Sequence, residues 1–297
     1  MLPHRQTTRS LERRMGARVR GALPFGLAEL VMFVLKQGWA CLFGGLLLAA
    51  ILISRAVWQT DWPVARYDFL FLFAIAIQVL FLWLRLETWE EARVILLFHL
   101  TGTAMEWFKV GAGSWVYPEA GLLKLMGVPL FSGFMYAAVG SYMVRVIRIF
   151  GMRFSPYPRL WLTWILAGAI YVNFFAHHFL PDIRILLFLA TVILFGRTRI
   201  WFRISDHDWW MPLPVAAFLS SLALWIAENI GTLTGTWLYA GQRPEHLVGF
   251  GKIGSWYLLL YVAFVTVSLV SREALYPPGR PAPAPDRPGR IRSARAT

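Results

Sequence analysis

The stretches Glu106-Trp107-Phe108-Lys109-Val110-Gly111-Ala112-Gly113-Ser114-Trp115-Val116-Tyr117 and Glu228-Asn229-Ile230-Gly231-Thr232-Leu233-Thr234-Gly235-Thr236-Trp237-Leu238-Tyr239 carry one pattern twice. In both, a glycine follows the glutamate by seven positions, a hydroxyl residue by eight, a tryptophan by nine and a tyrosine by eleven, and the copies stand 122 residues apart. Each glutamate lies near the end of a long apolar run. A carboxylate in such a run is costly to place in lipid, which makes it a functional candidate.

Working outward, the same 122-residue offset aligns Trp39 with Trp161 and Gly127 with Gly249, so the pattern extends over most of each half of the chain. Hydrophobic residues make up 58% of the 297 and charged residues only 15%, too little polar surface for a soluble domain. The reading is an all-α, polytopic membrane helix bundle of about eight spans. They run near 38–57, 67–86, 93–110, 129–147, 160–180, 183–200, 212–230 and 252–270. The sixth is the weakest, because its clean apolar part is short and Arg197 and Arg199 must snorkel. Four spans per unit is an even number, so the two units (about 38–150 and 160–272) run in the same direction. That predicts a 4+4 parallel repeat with its axis along the membrane normal.

Around this transmembrane bundle (25–275), residues 1–24 form a basic cytoplasmic arm with six arginines, and 25–37 read as an interfacial helix. Residues 276–297, rich in Pro and Arg, read as a disordered basic tail. With the N-terminus inside, cytoplasmic segments hold 22 of the 29 Lys and Arg and outer segments hold 7. That bias orients the chain in a bacterial inner membrane with both termini cytoplasmic. The net charge of +13 flanks apolar segments and forms no aromatic-interleaved groove, so the partner is the lipid bilayer and not nucleic acid. The single cysteine, Cys41, excludes an internal disulfide and reads as a packing residue.

Glu106 and Glu228 fall towards the outer ends of spans 3 and 7. They are the candidate catalytic or proton-coupling groups and are expected to face a shared cavity. Gly113-Ser114 and Gly235-Thr236 would interrupt the helix beyond them, which is tolerated only beside protein or a water-lined cavity. Trp115, Tyr117, Trp237 and Tyr239 suit the wall of that cavity, and equally suit an aromatic belt at the outer interface. His99, Ser132, Asn173, His177 and Asn229 complete the candidate substrate-binding set. For His99 the alternative is a helix-to-helix hydrogen bond, for Ser132 close packing, and for His177 a span end at the outer interface. Lys109, three positions after Glu106, is placed to reach it. The histidine and glutamate spacing matches no zinc or di-iron signature, so neither a metal nor a cofactor is expected.

The runs Glu106 to Val110, Gly113-Ser114-Trp115, Tyr117-Pro118-Glu119 and Gly127 to Tyr136 resemble a family of bacterial integral membrane proteins, domain of unknown function 817, over about residues 25–272. That resemblance implies a polytopic inner-membrane protein and no particular activity. A much fainter likeness is to carotenoid-pathway membrane proteins of the lycopene cyclase and hydratase type, whose paired-glutamate P-E-E motif this chain lacks. Three functions fit the residues. The first is a transporter or solute-binding protein with the two glutamates at an outward-facing site. The second is an intramembrane enzyme using glutamate as general acid on an isoprenoid or other lipid-soluble substrate, with Trp115 and Trp237 stabilising cationic charge. The third is a membrane scaffold.

Overall fold

The structure, a computed structural model, describes residues 14–59, 61–176, 179–205, 207–243 and 246–275. Most of the chain is helical, as the apolar runs require. After a helix over 14–22, the helices are α1 (Phe25–Ala40), α2 (Leu42–Val57), α3 (Arg66–Trp83), α4 (Trp89–Gly111), α5 (Phe131–Ile149), α6 (Leu160–Ala176), α7 (Arg184–Phe195), α8 (Leu213–Leu233), α9 (Gly251–Val267) and the short α10 (Arg272–Leu275). Local chemistry sets several ends. Thr88 and Glu91 form a reciprocal capping box that starts α4. A proline in the first turn starts α8. A 72° bend at Cys41 separates α1 from α2.

The helices pack as a bundle with connections gathered at two ends. At one end Arg66 of α3 binds Glu119 at 2.6 Å and Thr236 at 2.9 Å, and the Asp68 carboxylate accepts from the N–H groups of Leu122 and Leu123. At the other end Arg148 of α5 donates to Glu91 and to the Leu86 carbonyl, and Arg145 donates to the carbonyls of Leu86 and Trp39. The first end holds the segments predicted as outer, the second those predicted as cytoplasmic. Between them, Phe43, Ile77, Phe81 and Phe134 form one apolar core, and Phe150, Phe195, Phe202 and Tyr261 anchor a larger one towards the basic end.

Among the described residues, α3 and α8 are long and apolar enough to cross a membrane, and a third crossing follows if the bent pair α1–α2 counts as one. Helices α6, α7 and α9 are shorter apolar helices. Their outward faces are apolar. Leu72, Ile75 and Val79 of α3 and Ile185, Leu189 and Ile193 of α7 are exposed, and contiguous apolar surface of this kind suits lipid better than water.

Three expectations are corrected. The sixth span does not run over 183–200: α7 is 12 residues, about 18 Å long, against roughly 30 Å of hydrocarbon. Beyond it, Arg199–Arg203 is not a snorkelling helix end but strand β5, the centre of a three-stranded antiparallel sheet with β4 (Arg153–Ser155) and β6 (Asp208–Pro212). The fold is therefore not purely α. Two smaller strand pairs lie at the outer end: β1 (Trp115–Val116) with β7 (Leu238–Tyr239), and β2 (Lys124–Leu125) with β3 (Val128–Pro129). Third, Cys41 is exposed at the α1–α2 bend rather than packed. Residues 1–13 of the predicted arm, the tail 276–297 and His177 lie outside the described residues.

Candidate functional site

The two copies of the glutamate pattern fold alike. After α4, the N–H groups of Ala112, Gly113 and Ser114 donate to the carbonyls of Phe108, Val110 and Lys109. After α8, those of Thr234, Gly235 and Thr236 donate to Ile230, Thr232 and Gly231, each partner shifted by the same 122 positions. Gly113 (φ +71°) and Gly235 (φ +65°) take the left-handed conformation that reverses the chain. Gly113→Ala is expected to lower stability by about 1 kcal/mol through backbone strain alone, because a Cβ there meets open space. Thermal unfolding in detergent checks it, and a wild-type melting curve would refute it.

That reversal brings each motif's tyrosine back onto its own glutamate, and in the first motif the tryptophan as well. Glu106, 1% exposed, accepts from Trp115 Nε1 at 2.7 Å and from the Tyr117 hydroxyl at 2.9 Å on one oxygen. Its other oxygen accepts from the Tyr136 hydroxyl of α5 at 2.6 Å. Glu228, 5% exposed, accepts from the Tyr239 hydroxyl and from Trp256 Nε1 of α9, the latter at 2.6 Å. Burial first, then the facing carboxylate, pushes the Tyr117 and Tyr239 phenols well above their usual pKa, so both stay protonated and act as donors. The spacing of eleven is thus a self-closing clamp: glutamate, glycine reversal, returning tyrosine.

The clamps meet. Strands β1 and β7 pair antiparallel, with Trp115 opposite Tyr239 and Val116 opposite Leu238. Positions 116 and 238 are equivalent under the 122-residue offset, so like stands opposite like. The Ala240 N–H adds a bond to the Ser114 carbonyl.

Beneath the paired strands lies a cavity of about 1220 Å³. Both glutamates line it, with Ser114, Trp115, Tyr117, Asn173, Trp237 and Tyr239. Its outer end also carries Lys109, Arg184 and Lys252. Further in, α2 contributes Gly44, Leu47 and Leu48, and α8 contributes Ala216, Leu219 and Ala223. The wall runs along α8 from Glu228 to Ala216, about 18 Å at 1.5 Å per residue. The floor is Met152, Ile200, Phe202 and Met211, with Cys41 and Gln37 beside it.

The other predicted site residues stand around this cavity or in the packing beside it. His99 packs on α5 where Gly133 lets the helices touch, its ring 4.4 Å from that of Phe134. Ser132 is buried in the first turn of α5. Thr236 accepts from Arg66, and Asn229 bonds the Trp225 carbonyl and the Val248 N–H. Asn173 lines the cavity while bonding Asp182 and the Ile183 N–H. Lys109 does not take the place predicted for it beside Glu106: its ammonium donates to the Phe174 carbonyl at 2.6 Å and lies over the Phe174 ring. Sequence reasoning missed Trp256, Arg184 and Lys252. They stand at helix starts and ends, where a charge or indole reads as a topology marker. Among the described residues no group of three His, Cys, Asp or Glu side chains stands together as a metal site.

The model for a family described as protein of unknown function (DUF817) matches residues 29–264, which covers both motifs and the cavity between them. The chain belongs to the DUF817 family. A relative, uncharacterized protein YoaT of Bacillus subtilis (strain 168), is 40% identical over 243 residues, covering 82% of this chain and 91% of the relative. No solved structure matches. For this DUF817 protein, the site's chemistry therefore has to be read from its own residues.

Proposed function

We propose that this DUF817 protein is an inner-membrane protein of two like halves that binds an elongated, lipid-soluble molecule in the cavity between them and exchanges protons with it through its glutamates. In this reading the chain passes eight times between the two ends, with α7 plus the β5–β6 hairpin standing for the sixth pass. The basic end, with Arg145, Arg148, Arg153 and Arg199, faces the cytoplasm with both termini. The like-opposite-like register of Val116 and Leu238 supports a 4+4 parallel repeat with its axis through that strand pair.

One observation carries the functional reading: a cavity of about 1220 Å³ whose charged groups stand at the outer end and whose remaining wall is mostly apolar down to Met152, Ile200, Phe202 and Met211, with Gln37 and Tyr142 hydrogen-bonded to each other on the way. A polar solute would need hydrophilic groups along its whole path. A hydrocarbon chain gains by leaving water or lipid for this wall. Glu228 accepts two hydrogen bonds where Glu106 accepts three, so it is the freer of the two to give or take a proton. Trp115 and Trp237 line the same region, and the Lys252 ammonium lies over the Trp115 ring at 5.9 Å. The second reading is movement of such a molecule across the membrane, favoured by two like halves flanking one cavity.

The single cysteine tests occupancy. Cys41 is exposed on the inner part of the wall, so alkylation by a membrane-permeant maleimide reports whether a chain fills the cavity. Long-chain alcohols and acids are expected to slow the reaction several-fold. An unchanged rate with every lipid-soluble molecule tried would remove the proposal. Lipid profiling of a strain lacking the protein, rescued with wild type or Glu228→Gln, then separates the two readings. A chemically altered lipid that wild type restores and Glu228→Gln does not indicates catalysis. An unchanged lipid in the wrong leaflet indicates transport.

A further inference from the structure

Strand β5 has two faces. Ile200 and Phe202 turn inward as part of the cavity floor, while Arg199, Trp201 and Arg203 turn outward. Across the sheet the register sets Ser155 and Pro212 beside Arg199, Arg153 and Trp210 beside Trp201, and Asp208 beside Arg203. Asp208 takes two of the outward arginines, Arg203 at 2.8 Å and Arg153 at 3.8 Å. Burial alternates at the start of the strand, with Arg197 exposed, Thr198 buried and Arg199 exposed, so both guanidiniums leave on the outward side. Thr198 is pinned between them: its hydroxyl donates to the Pro156 carbonyl at 2.9 Å, and its own carbonyl accepts from the Leu213 N–H. Among the described residues neither Arg197 nor Arg199 has a carboxylate partner. Arg199 lies over the Trp210 ring, 4.2 Å from its centre.

A cleft of about 600 Å³ opens on this face, with Ser155, Pro156, Arg197, Arg199, Trp201 and Trp210 in its wall. Helix α8 sets its level in the fold. Pro212, opposite Arg199, precedes that helix, whose 21 residues at 1.5 Å each span about 31 Å, close to the roughly 30 Å of a bilayer's hydrocarbon. The cleft then stands where hydrocarbon gives way to headgroups. Beside it, α7 turns Ile185, Leu189, Val192 and Ile193 outward, a stripe along one helix face that ends one turn before Arg197. Tryptophan favours this level of a bilayer. A guanidinium stacked on an indole keeps its in-plane N–H donors for an oxyanion.

We propose that this cleft binds the head of an anionic glycerophospholipid of the cytoplasmic leaflet. Arg197 and Arg199 hold the phosphate, Trp201 and Trp210 flank the glycerol, and an acyl chain lies on the stripe of α7. This rests on the inner-membrane reading, with the basic end cytoplasmic, and is independent of what the central cavity takes. Charge complementarity selects the lipid. Two guanidiniums without a carboxylate favour a head of net negative charge, and a zwitterionic head would bring its own ammonium beside them. A soluble phosphate gains nothing from α7.

The test is native mass spectrometry of the full chain in detergent, titrated with dioleoyl phosphatidylglycerol or dioleoyl phosphatidylcholine. The first phosphatidylglycerol should bind wild type at least about tenfold more tightly than the first phosphatidylcholine. Equal binding of the two by wild type overturns the site and leaves the membrane reading standing. A chain that stays monodisperse without detergent and retains neither lipid removes the membrane reading itself. Arg197→Gln with Arg199→Gln should bring the two lipids within about twofold of each other. Arg153→Gln with Arg203→Gln removes the same charge from the same face and should leave the preference in place. A preference that survives the first pair, or that falls equally with both pairs, refutes the cleft in favour of diffuse charge. Soluble competitors separate the occupants. If glycerol 3-phosphate displaces phosphatidylglycerol as well as the lipid displaces itself, the cleft serves a soluble anion. If a single-stranded oligothymidylate does so, it serves nucleic acid, and either result refutes the lipid.

Discussion

Gly231→Ala is expected to cost the protein about 3 kcal/mol or more and to abolish a sharp thermal transition in detergent. A Cβ on Gly231 would overlap the six-membered ring of Trp237, a rigid group rather than a flexible tip. The ring cannot slide far. Trp237 is 9% exposed and sits among Tyr67, Trp115, Tyr117 and Phe131 in the outer core. Evicting it would also pull on β7 and hence on the Tyr239 bond to Glu228. The paired substitution tests the cause. Trp237→Ala alone should cost roughly 3–5 kcal/mol, and adding Gly231→Ala to it should cost almost nothing more, because the overlap has gone. A Gly231→Ala protein that melts like wild type, or a double variant whose losses simply add, would contradict this packing.

Glu106→Leu should be comparably severe. It strips the acceptor from the Trp115 indole and from the Tyr117 and Tyr136 hydroxyls at once. Each buried donor left without a partner costs roughly 1–3 kcal/mol, so a loss of about 4 kcal/mol is expected. Glu106→Gln keeps one carbonyl oxygen and should lose about half as much. Tyr136→Phe, which removes one donor and leaves the carboxylate two, should cost about 1 kcal/mol. Equilibrium unfolding in denaturant would give the order Leu, Gln, then the Tyr136 variant. A reversed order would mean that the carboxylate is not held as described. Glu228→Leu, with two direct donors, should fall below Glu106→Leu.

The sequence made some of this legible and hid the rest for identifiable reasons. The doubled motif was visible because a chain reversal needs glycine at a fixed distance, and a returning tyrosine needs a fixed count to reach its glutamate. That same spacing did not say that the tyrosine and tryptophan would take up the glutamate's own lone pairs, because hydrogen-bond partners depend on the angle of the returning strand. Helix positions followed from apolar runs, and most observed helices overlap the expected segments. The β5 strand was missed although Arg199-Ile200-Trp201-Phe202-Arg203 alternates in burial along its length. Beside the apolar run of α7, two arginines resembled a snorkelling helix end, and strand pairing with β4 and β6 is a non-local fact. The three cations at the cavity mouth were counted as topology markers. One-dimensional charge counting cannot tell a residue that meets lipid headgroups from one that turns inward.

The main-chain ladder between β1 and β7 also constrains how the protein can move. Val116 and Leu238 tie the segment after α4 to the segment after α8, and Arg66 and Tyr67 reach across to Thr236 beside them. Parting these segments would break ladder bonds and expose a buried guanidinium. Breathing between α2 and α8 is therefore easiest at the opposite edge, as a book opens away from its spine. Under the proposed reading, a lipid-soluble chain would enter at the edge remote from the paired strands.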